Sequence, residues 1–332
     1  MKKYIIYISL PRKNIIEVFQ FNKNNIKKIQ QIDIKSEIQP LKIFYEKKII
    51  YAGVRDIPRI ITYKIQKDGL LKKINETKTF GNPNHISLDS SKKYLFNSSY
   101  SGNCLTYHKL NDKGIPQEKY IIKKNILGCH SSIFHEKYKI LFFTSLKSDK
   151  VFFEKIKNFH NHKEKKYYLK SKKNSGPRHL DIHPNKKYLY VLHELNNTIE
   201  VWDIKKILYE KNFNSIQTID ILPKSLKKNW AADIHISPCG NFLYTCERTS
   251  NSISVFVINK KTGILQLIKI YNTEIQPRSF NIDQKGKYLI ISGQKSHSIS
   301  IYRINKNCGS LKKIKKIKTN KEPLWIETFL LY

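Results

Sequence analysis

Short apolar stretches alternate with polar loops along the whole chain, and one phrase of residues returns several times. Each copy begins with a Lys- or Gly-led turn, continues into a short apolar strand and a polar loop, and closes with an alternating strand that ends in an aromatic residue. The clearest copies are KKIIYAGVRDIPRIITY (47–63), KKYLYVLHELNNTIEVW (186–202), GNFLYTCERTSNSISVF (240–256) and GKYLIISGQKSHSISIY (286–302). Apolar residues such as Ile253 and Val255 alternate with serines, which is typical of half-buried β-strands.

The copies are regularly spaced. Looser copies at 92–107, at 137–153 and from Tyr7 to Phe19 complete a series anchored on Tyr7, Tyr51, Phe96, Phe142, Tyr190, Tyr244 and Ile290, with spacings of 44, 45, 46, 48, 54 and 46 residues. Seven units of about 45 residues, each made of short strands, predict an all-β fold, a seven-bladed β-propeller with four-stranded blades. Glycine turns in KDGLL (67–71), KTGIL (261–265) and NCGSL (307–311) predict hairpins that lead to the outer strands.

A second phrase precedes most anchors by about a dozen residues and predicts the innermost strand of each blade. Its copies are QPLKIF (39–44), PNHISLD (83–89), CHSSIFH (129–135), GPRHLDIHP (176–184), AADIHISP (231–238) and QPRSFNID (276–283). The first anchor has no copy upstream, and the missing copy is EPLWIETFL at 322–330. We therefore predict that one blade is closed by the C-terminal strand joining the N-terminal strands, which leaves no open ring edge. Residues 1–332 are expected to form a single seven-bladed propeller domain.

The net charge of +36 first suggests a nucleic-acid or membrane partner. However, 55 of the 62 basic residues are Lys and only seven are Arg. Lys, Asn and Ile all have A/T-rich codons, so a biased genome explains the excess, whereas proteins that bind phosphates usually use Arg. The hydrophobic share of 40% excludes a disordered chain, and no apolar run of about 18 residues could span a membrane. We expect neither a nucleic-acid nor a membrane partner.

Two further segments and the cysteines restrict the interpretation. The five cysteines show no metal-ligand or disulfide spacing. The N-terminus, MKKYIIYISLPRKN, resembles a signal peptide, but its apolar stretch is short and lacks a cleavage site. We interpret it as a β-strand of a cytoplasmic protein. The Lys-rich stretch at 159–176 is predicted to be an exposed loop at an outer edge.

Candidate functional residues gather at one mouth of the predicted channel, where the inner strands begin and the loops after the second strands end. Those loops hold Pro11, Arg55, Tyr100, Leu146, Glu194, Arg248 and Gln294, and the starts of the inner strands hold Gln39, His85, His130, Arg178, His179, Asp233 and Arg278. Four of the seven arginines lie in this set. Cations, imidazoles and a carboxylate that converge in a concave site suit a small anionic substrate.

The chemistry of this set leaves two interpretations open. Arginines can hold a phosphate or carboxylate and stabilise an oxyanion, and Glu194 or His130 could deprotonate a water. Alternatively, Glu194 only neutralises Arg178 and Arg248 in a structural ion-pair network. Outside the set, a structural role is predicted for His183, His235, Trp202, Phe256 and Trp325, the three aromatic residues among them as parts of the core.

The phrases GCHS (128–131), GPRH (176–179), HELN (193–196), WAADIHISP (230–238), ERT (247–249), QPRSFN (276–281) and GQKSH (293–297) together carry a resemblance. The chain resembles the lactonase-type seven-bladed β-propeller (cycloisomerase 2) family, which includes the bacterial 6-phosphogluconolactonases. The resemblance implies hydrolysis of 6-phospho-D-glucono-1,5-lactone to 6-phospho-D-gluconate in the oxidative pentose phosphate pathway, without a metal or other cofactor. Ser279 departs from the family pattern, which usually has glycine there, and it could alter the placement of the adjacent Arg278.

The resemblance and the ring positions together give the expected site. The expected catalytic residues are Glu194, His130, Arg178 and Arg248, and the expected substrate-binding residues are His179, Arg278, Arg55 and His85. The expected partner is a small phosphorylated sugar lactone, and a monomer is favoured. The alternatives are a lactonase for a non-phosphorylated sugar lactone and a non-catalytic propeller scaffold. A scaffold of the WD type would repeat Trp-Asp at strand ends, and Trp202-Asp203 is the only such pair.

Overall fold

The structure is a computed structural model that describes residues 3–22, 25–89, 91–156, 167–223 and 229–331. In this part of the chain, 28 strands form seven four-stranded antiparallel sheets. The prediction of an all-β, seven-bladed propeller is confirmed. The described residues include no helix long and apolar enough to cross a membrane.

The sheets follow one another along the chain. Blade 1 contains β1 (Lys3–Leu10), β2 (Ile15–Phe21), β3 (Ile26–Asp33) and the C-terminal β28 (Trp325–Leu331). Blade 2 contains β4 (Ile38–Phe44), β5 (Ile49–Val54), β6 (Arg59–Ile65) and β7 (Leu71–Lys78); blade 3 contains β8 (His85–Leu88), β9 (Tyr94–Ser99), β10 (Cys104–Leu110) and β11 (Pro116–Lys123). Blade 4 contains β12 (Cys129–His135), β13 (Ile140–Ser145), β14 (Lys150–Lys155) and β15 (Tyr167–Lys170).

The other three blades have the same order. Blade 5 contains β16 (Pro177–Ile182), β17 (Tyr188–His193), β18 (Thr198–Asp203) and β19 (Gln217–Asp220); blade 6 contains β20 (Ala231–Ile236), β21 (Phe242–Glu247), β22 (Ser252–Ile258) and β23 (Leu265–Asn272). Blade 7 contains β24 (Pro277–Ile282), β25 (Tyr288–Gly293), β26 (Ser298–Ile304) and β27 (Leu311–Lys318). Short 3₁₀ turns lie at Pro11–Lys13 and Leu146–Ser148, and a π turn lies at Lys206–Glu210.

The ring is closed through blade 1. Strand β28 pairs antiparallel with β1, from Lys3 opposite Leu331 to Ser9 opposite Trp325. The first strands of neighbouring blades contact each other in the cyclic order β28, β4, β8, β12, β16, β20, β24 and back to β28. These strands therefore surround the central channel, as the second repeated phrase predicted. The prediction that the C-terminal strand completes the N-terminal blade is confirmed.

The anchor tyrosines join neighbouring blades. In each case the hydroxyl donates to the carbonyl of a turn glycine in the next blade: Tyr7 to Gly69 (2.9 Å), Tyr51 to Gly114 (2.6 Å), Tyr190 to Gly263 (2.8 Å) and Tyr244 to Gly309 (2.9 Å). All four glycines have positive φ, a conformation that side-chain-bearing residues rarely adopt. The repeated tyrosine and the repeated glycine thus form the same hydrogen bond between neighbouring blades at four junctions.

One sequence prediction needs correction at the outer edge of blade 4. Residues 159–166 of the Lys-rich stretch lie outside the described residues. Tyr167–Lys170 is the strand β15 and not a loop, because it pairs with β14 from Lys150 opposite Lys170 to Phe153 opposite Tyr167. The alternation along β15 places Leu169 in the core and leaves its neighbours exposed. The predicted exposure of this segment was therefore correct, and the prediction that it forms a loop was wrong.

Candidate active site

Beta-bulges near the start of the inner strands direct the candidate side chains into the channel. The pairing with the second strand shifts register between Cys129 and Ser132, between Pro177 and His179, between Ala231 and Asp233, between Pro277 and Phe280, and between Ile38 and Leu41. An extra residue in a bulge breaks the alternation of faces and re-aims a side chain. This explains how the consecutive residues Arg178 and His179 can both lie near His130.

Glu194 lies between two buried arginines at the channel mouth. Its Oε2 is 2.8 Å from Nε of Arg178, and its Oε1 is 3.2 Å from a terminal nitrogen of Arg248. The Arg178 N–H is not aligned for a hydrogen bond, so that contact is purely electrostatic. The arginine side chains are 3% and 2% exposed, whereas that of Glu194 is 15% exposed. The carboxylate therefore pairs with both arginines, leaves the three side chains with a net positive charge, and keeps a solvent-exposed side.

The charges around Glu194 keep it ionised. Burial alone would raise the pKa of Glu194, but the positive charges of Arg178, Arg248 and Arg278 outweigh it and lower the pKa below its ordinary value. Burial and the charge of Arg178 lower the pKa of Arg248 to about 9, which leaves that guanidinium charged at neutral pH. The mouth thus holds a carboxylate and several cations in their charged forms.

Trp230 completes this cluster, and the sequence did not assign it a role. Its indole Nε1 donates to Oε1 of Glu194 at 3.1 Å, and the Arg248 guanidinium carbon lies 3.9 Å from the centre of its ring system. The backbone holds Arg248 as well, because Nε donates to the Trp230 carbonyl (3.0 Å) and a terminal nitrogen donates to the Ala231 carbonyl (2.8 Å). The signal in the sequence was the position of Trp230 at the head of the phrase WAADIHISP.

His130 lies deeper, and its neighbour Asn84 defines its tautomer. The Asn84 amide nitrogen donates to the His130 carbonyl at 3.0 Å and lies 3.2 Å from Nδ1 of the same residue. Rotating the amide would place its oxygen against the carbonyl, so the nitrogen faces Nδ1 and Nδ1 accepts. Burial, with the nearby charge of Arg178, lowers the pKa of His130 well below its usual value. His130 is therefore neutral and carries its proton on Nε2.

His179 and His85 extend the imidazole group down the channel. The ring centres of His130 and His179 are 5.0 Å apart, and those of His179 and His85 are 5.6 Å apart. Nδ1 of His179 lies 2.7 Å from Oδ1 of Asp233, and the second oxygen of Asp233 is 3.3 Å from Nε2 of His235. Burial, followed by the charge of Arg178, lowers the pKa of His179 to about 4. These imidazoles serve as neutral hydrogen-bond donors and acceptors. Burial alone would raise the pKa of Asp233, but His235 and His179 lower it well below its usual value, so Asp233 stays ionised.

Two spaces lie one above the other at the mouth. An open pocket of about 420 Å³ is lined by Pro11, Arg12, Asn14, Glu37, Gln39, Arg278, Gln294, Glu322 and Leu324. Below it a much smaller cavity is lined by Gln39, Asn84, His130, Arg178, Arg278, Ser279, Leu324 and Trp325. Arg278 and Gln39 belong to both spaces. Of the expected site residues, His130, Arg178 and Arg278 line these spaces, and Glu194, Arg248, His179, Arg55 and His85 do not.

Some predicted residues have other surroundings. Arg55 forms an ion pair with Glu37 at 3.3 Å. His85 does not line either space and contacts the ring of Trp325 instead. Trp325, for which a core role was predicted, lines the small cavity because its position on β28 faces the channel. His183 Nε2 donates to the Gly240 carbonyl at 2.9 Å, and its Nδ1 accepts from the Asn185 backbone N–H, as the structural interpretation predicted.

A larger groove of about 1110 Å³ lies at the outer edge of blades 4 and 5, away from the channel. Its lining consists of lysines, tyrosines and apolar residues and includes no acidic side chain. The described residues contain no group of three His, Cys, Asp or Glu side chains placed to hold a metal ion. The chemistry therefore points to the channel mouth and not to the larger groove.

Known proteins resemble the chain over nearly its whole length. Residues 5–328 match the family described as Lactonase, 7-bladed beta-propeller. A 6-phosphogluconolactonase of Buchnera aphidicola subsp. Schizaphis graminum is 44% identical over 332 residues, which cover 98% of this chain and 99% of that protein. Among solved structures, a putative 6-phosphogluconolactonase from Bacteroides uniformis has a TM-score of 0.84 at 22% identity. The periplasmic gluconolactonase of Pseudomonas aeruginosa has a TM-score of 0.84 at 19% identity. Each structural alignment covers 98% of this chain and 99% of the other, and both support the fold.

Proposed function

The chain belongs to the lactonase family of seven-bladed β-propellers, and from this premise we propose that it hydrolyses 6-phospho-D-glucono-1,5-lactone to 6-phospho-D-gluconate. The reaction is a step of the oxidative pentose phosphate pathway, and the enzyme is a hydrolase of carboxylic ester bonds. The Buchnera relative, 44% identical over almost its full length, bears the name 6-phosphogluconolactonase. The observation that carries the proposal is the ionised Glu194 held between Arg178 and Arg248 at an open mouth.

Glu194 is the proposed base. Three N–H groups approach its two oxygens, from Arg178, Arg248 and Trp230, and only one of them contacts Oε2. A carboxylate has about four acceptor positions, so room remains for a water molecule on the exposed side. Because the two arginines hold the carboxylate in place, it meets that water in a fixed orientation, which is the condition for efficient general-base catalysis.

The neighbouring cations and His130 would act on the lactone itself. As the water oxygen bonds to the carbonyl carbon, negative charge develops on the carbonyl oxygen, and arginines that are already fixed by backbone carbonyls stabilise it at little cost in reorganisation. The bond between the carbonyl carbon and the ring oxygen then breaks. The ring oxygen takes the proton that Glu194 removed from the water and becomes the C5 hydroxyl, which restores the carboxylate. The Nε2–H of neutral His130 is the proposed hydrogen-bond donor to the departing ring oxygen. The new carboxylic acid ionises, so each turnover releases one proton.

The other candidate functions account for less of the site. A non-catalytic scaffold has no use for buried cations around a neutral imidazole cluster, which are costly to bury unless a ligand uses them. A lactonase for non-phosphorylated sugar lactones would use the same base and the same cations at the carbonyl. The two lactonase functions differ only in the group that binds the far end of the substrate.

The direct test is to purify the protein and follow acid release from freshly prepared 6-phosphogluconolactone, with and without EDTA. We expect acceleration well above the spontaneous hydrolysis, and equal rates with the chelator because the proposed mechanism uses only side chains. If circular dichroism shows a folded protein that does not accelerate the reaction, the enzymatic function is wrong. We further propose that residues 1–332 act as a single domain in the cytoplasm, as a monomer, without nucleic-acid or membrane partners; size-exclusion chromatography with light scattering tests the oligomeric state.

A further inference from the structure

Arg278 differs from the other arginines at the channel mouth in having no counter-charge in contact. Arg55 forms an ion pair with Glu37, and Arg178 and Arg248 share Glu194. Within the described residues, the Arg278 guanidinium makes no hydrogen bond and no ion pair. Burial, followed by the charge of Arg178, lowers its pKa to about 10, so it remains a cation at neutral pH. Arg278 is half-buried, and a cation that is partly withdrawn from water without an acceptor is unfavourable unless a ligand supplies one.

The surroundings of Arg278 suit a ligand of the size of a phosphorylated sugar. Arg278 lines the open pocket of about 420 Å³ and also the small cavity that contains His130 and Arg178. Pockets of about 300–1,000 Å³ are usual for small molecules. Arg278 therefore stands between the space where a substrate can enter and the groups proposed to act on the carbonyl.

Neutral amides accompany Arg278 in the open pocket. The Gln39 amide nitrogen donates to Glu37 at 2.7 Å, and the Gln294 amide nitrogen donates to Glu322 at 3.4 Å. Each amide nitrogen carries two hydrogens, so each keeps one for a ligand oxygen. The two carboxylates in this pocket do not repel an anion strongly, because Glu37 pairs with Arg55, and Glu322 pairs with Lys295 at 2.9 Å and with Arg12.

The way the arginines are held separates their roles. Arg178 and Arg248 donate to the backbone carbonyls of Ala232 and Ala231, so they are fixed in advance, as groups that stabilise a short-lived oxyanion must be. Arg278 has no such fixed acceptor. Its charge has no counter-ion in contact among the described residues and suits a group that is anionic throughout the reaction, and its planar fork matches two oxygens of a phosphate.

We infer that Arg278, with the free amide hydrogens of Gln39 and Gln294, binds the phosphate of the substrate and determines the preference for phosphorylated over non-phosphorylated sugar lactones. This inference rests on the proposed function. The groups around the carbonyl would act in the same way on phosphorylated and non-phosphorylated lactones, so the phosphate contact is what distinguishes the two lactonase functions.

The test compares wild type, Arg278→Gln and Arg278→Lys on 6-phosphogluconolactone and on glucono-1,5-lactone. A lost charged hydrogen-bonded contact weakens binding by about 10- to 100-fold. We expect Arg278→Gln to raise KM for the phosphorylated lactone by that factor with kcat within about threefold, and Arg278→Lys to fall between. We expect kcat/KM for glucono-1,5-lactone to change by less than about threefold. Arg303→Gln is the matched control, because Arg303 is exposed on β26 and away from the mouth.

A binding measurement keeps the inference testable apart from catalysis. Calorimetry should show that 6-phosphogluconate and inorganic phosphate bind wild type and Arg303→Gln, and that Arg278→Gln loses this binding. If kcat falls equally on both lactones while phosphate binding persists, Arg278 acts at the carbonyl and the inference is wrong. If wild type hydrolyses neither lactone, the proposed function fails, and the calorimetric comparison alone decides whether Arg278 binds phosphate.

Discussion

The indole N–H of Trp230 donates a hydrogen bond to Glu194 over 3.1 Å, and the same indole ring lies against the guanidinium of Arg248. One side chain thereby contacts both charges of the ion pair at the channel mouth. Trp230 is 38% exposed, so this contact is made at the solvent boundary, where a substrate would enter. Trp230 holds in place the carboxylate that we propose as the base.

Trp230→Phe removes the hydrogen bond and keeps an aromatic ring beside Arg248. Since the indole N–H stabilises the ionised carboxylate, its loss raises the pKa of Glu194. We expect the acidic limb of the kcat/KM profile to move to higher pH and kcat to fall by about three- to tenfold, in the range of one hydrogen bond. The measurement is the pH profile of both proteins. An unchanged profile with reduced activity would mean that Trp230 acts only through packing.

Glu194→Gln removes the proposed base with little change in size. We expect kcat to fall by about 100-fold or more, the usual contribution of a general base, while the protein stays folded by circular dichroism. The matched control is Glu210→Gln, since Glu210 is exposed on the π turn of blade 5. Turnover that is unchanged in Glu194→Gln would show that Glu194 is not the base.

The protonation states at the site predict a flat pH dependence near neutrality. The pKa values of His130 and Glu194 are both lowered, so the neutral imidazole and the ionised carboxylate are populated above those lowered values. We expect kcat/KM, corrected for spontaneous hydrolysis, to be constant from pH 6 to pH 8. A loss of activity centred near the ordinary histidine pKa of about 6.5 would contradict the assigned states.

Tyr190→Phe tests the contact between blades. It leaves the carbonyl of Gly263, to which the Tyr190 hydroxyl donates at 2.8 Å, without that partner. We expect a loss of about 1–3 kcal/mol in the free energy of unfolding, measured by urea denaturation, with kcat unchanged because the contact is far from the mouth. Tyr209→Phe, at an exposed tyrosine, should have no effect. Equal stability of both variants would show that the repeated tyrosine contributes only its ring.

Much of the fold could be predicted because its signals are local. Alternating residues in strands, glycines in the hairpin turns and the spacing of the anchors all follow from the chain without knowledge of distant contacts. The missing inner-strand phrase before Tyr7 and its appearance at 322–330 were sufficient to predict the closure that β28 and β1 make. The outer strand β15 was missed because its Lys-rich composition hides a short alternation that only pairing with β14 stabilises.

The sequence could place candidate residues at equivalent positions of the ring but could not predict the contacts between them. Equivalent positions of a repeat occupy equivalent places in a ring, so the sequence alone determined seven blades and a group of arginines, histidines and Glu194 at one mouth. Only the tertiary structure decided that Glu194 pairs with Arg178 and Arg248 and that Trp230 and Asn84 contact Glu194 and His130. It also decided that Arg278 has no counter-charge in contact among the residues that the structure describes. The physical reason is that, apart from the contact of Arg178 with Glu194 inside blade 5, these contacts join side chains from different blades, tens of residues apart. Their directions also depend on bulges that no local pattern of residues specifies.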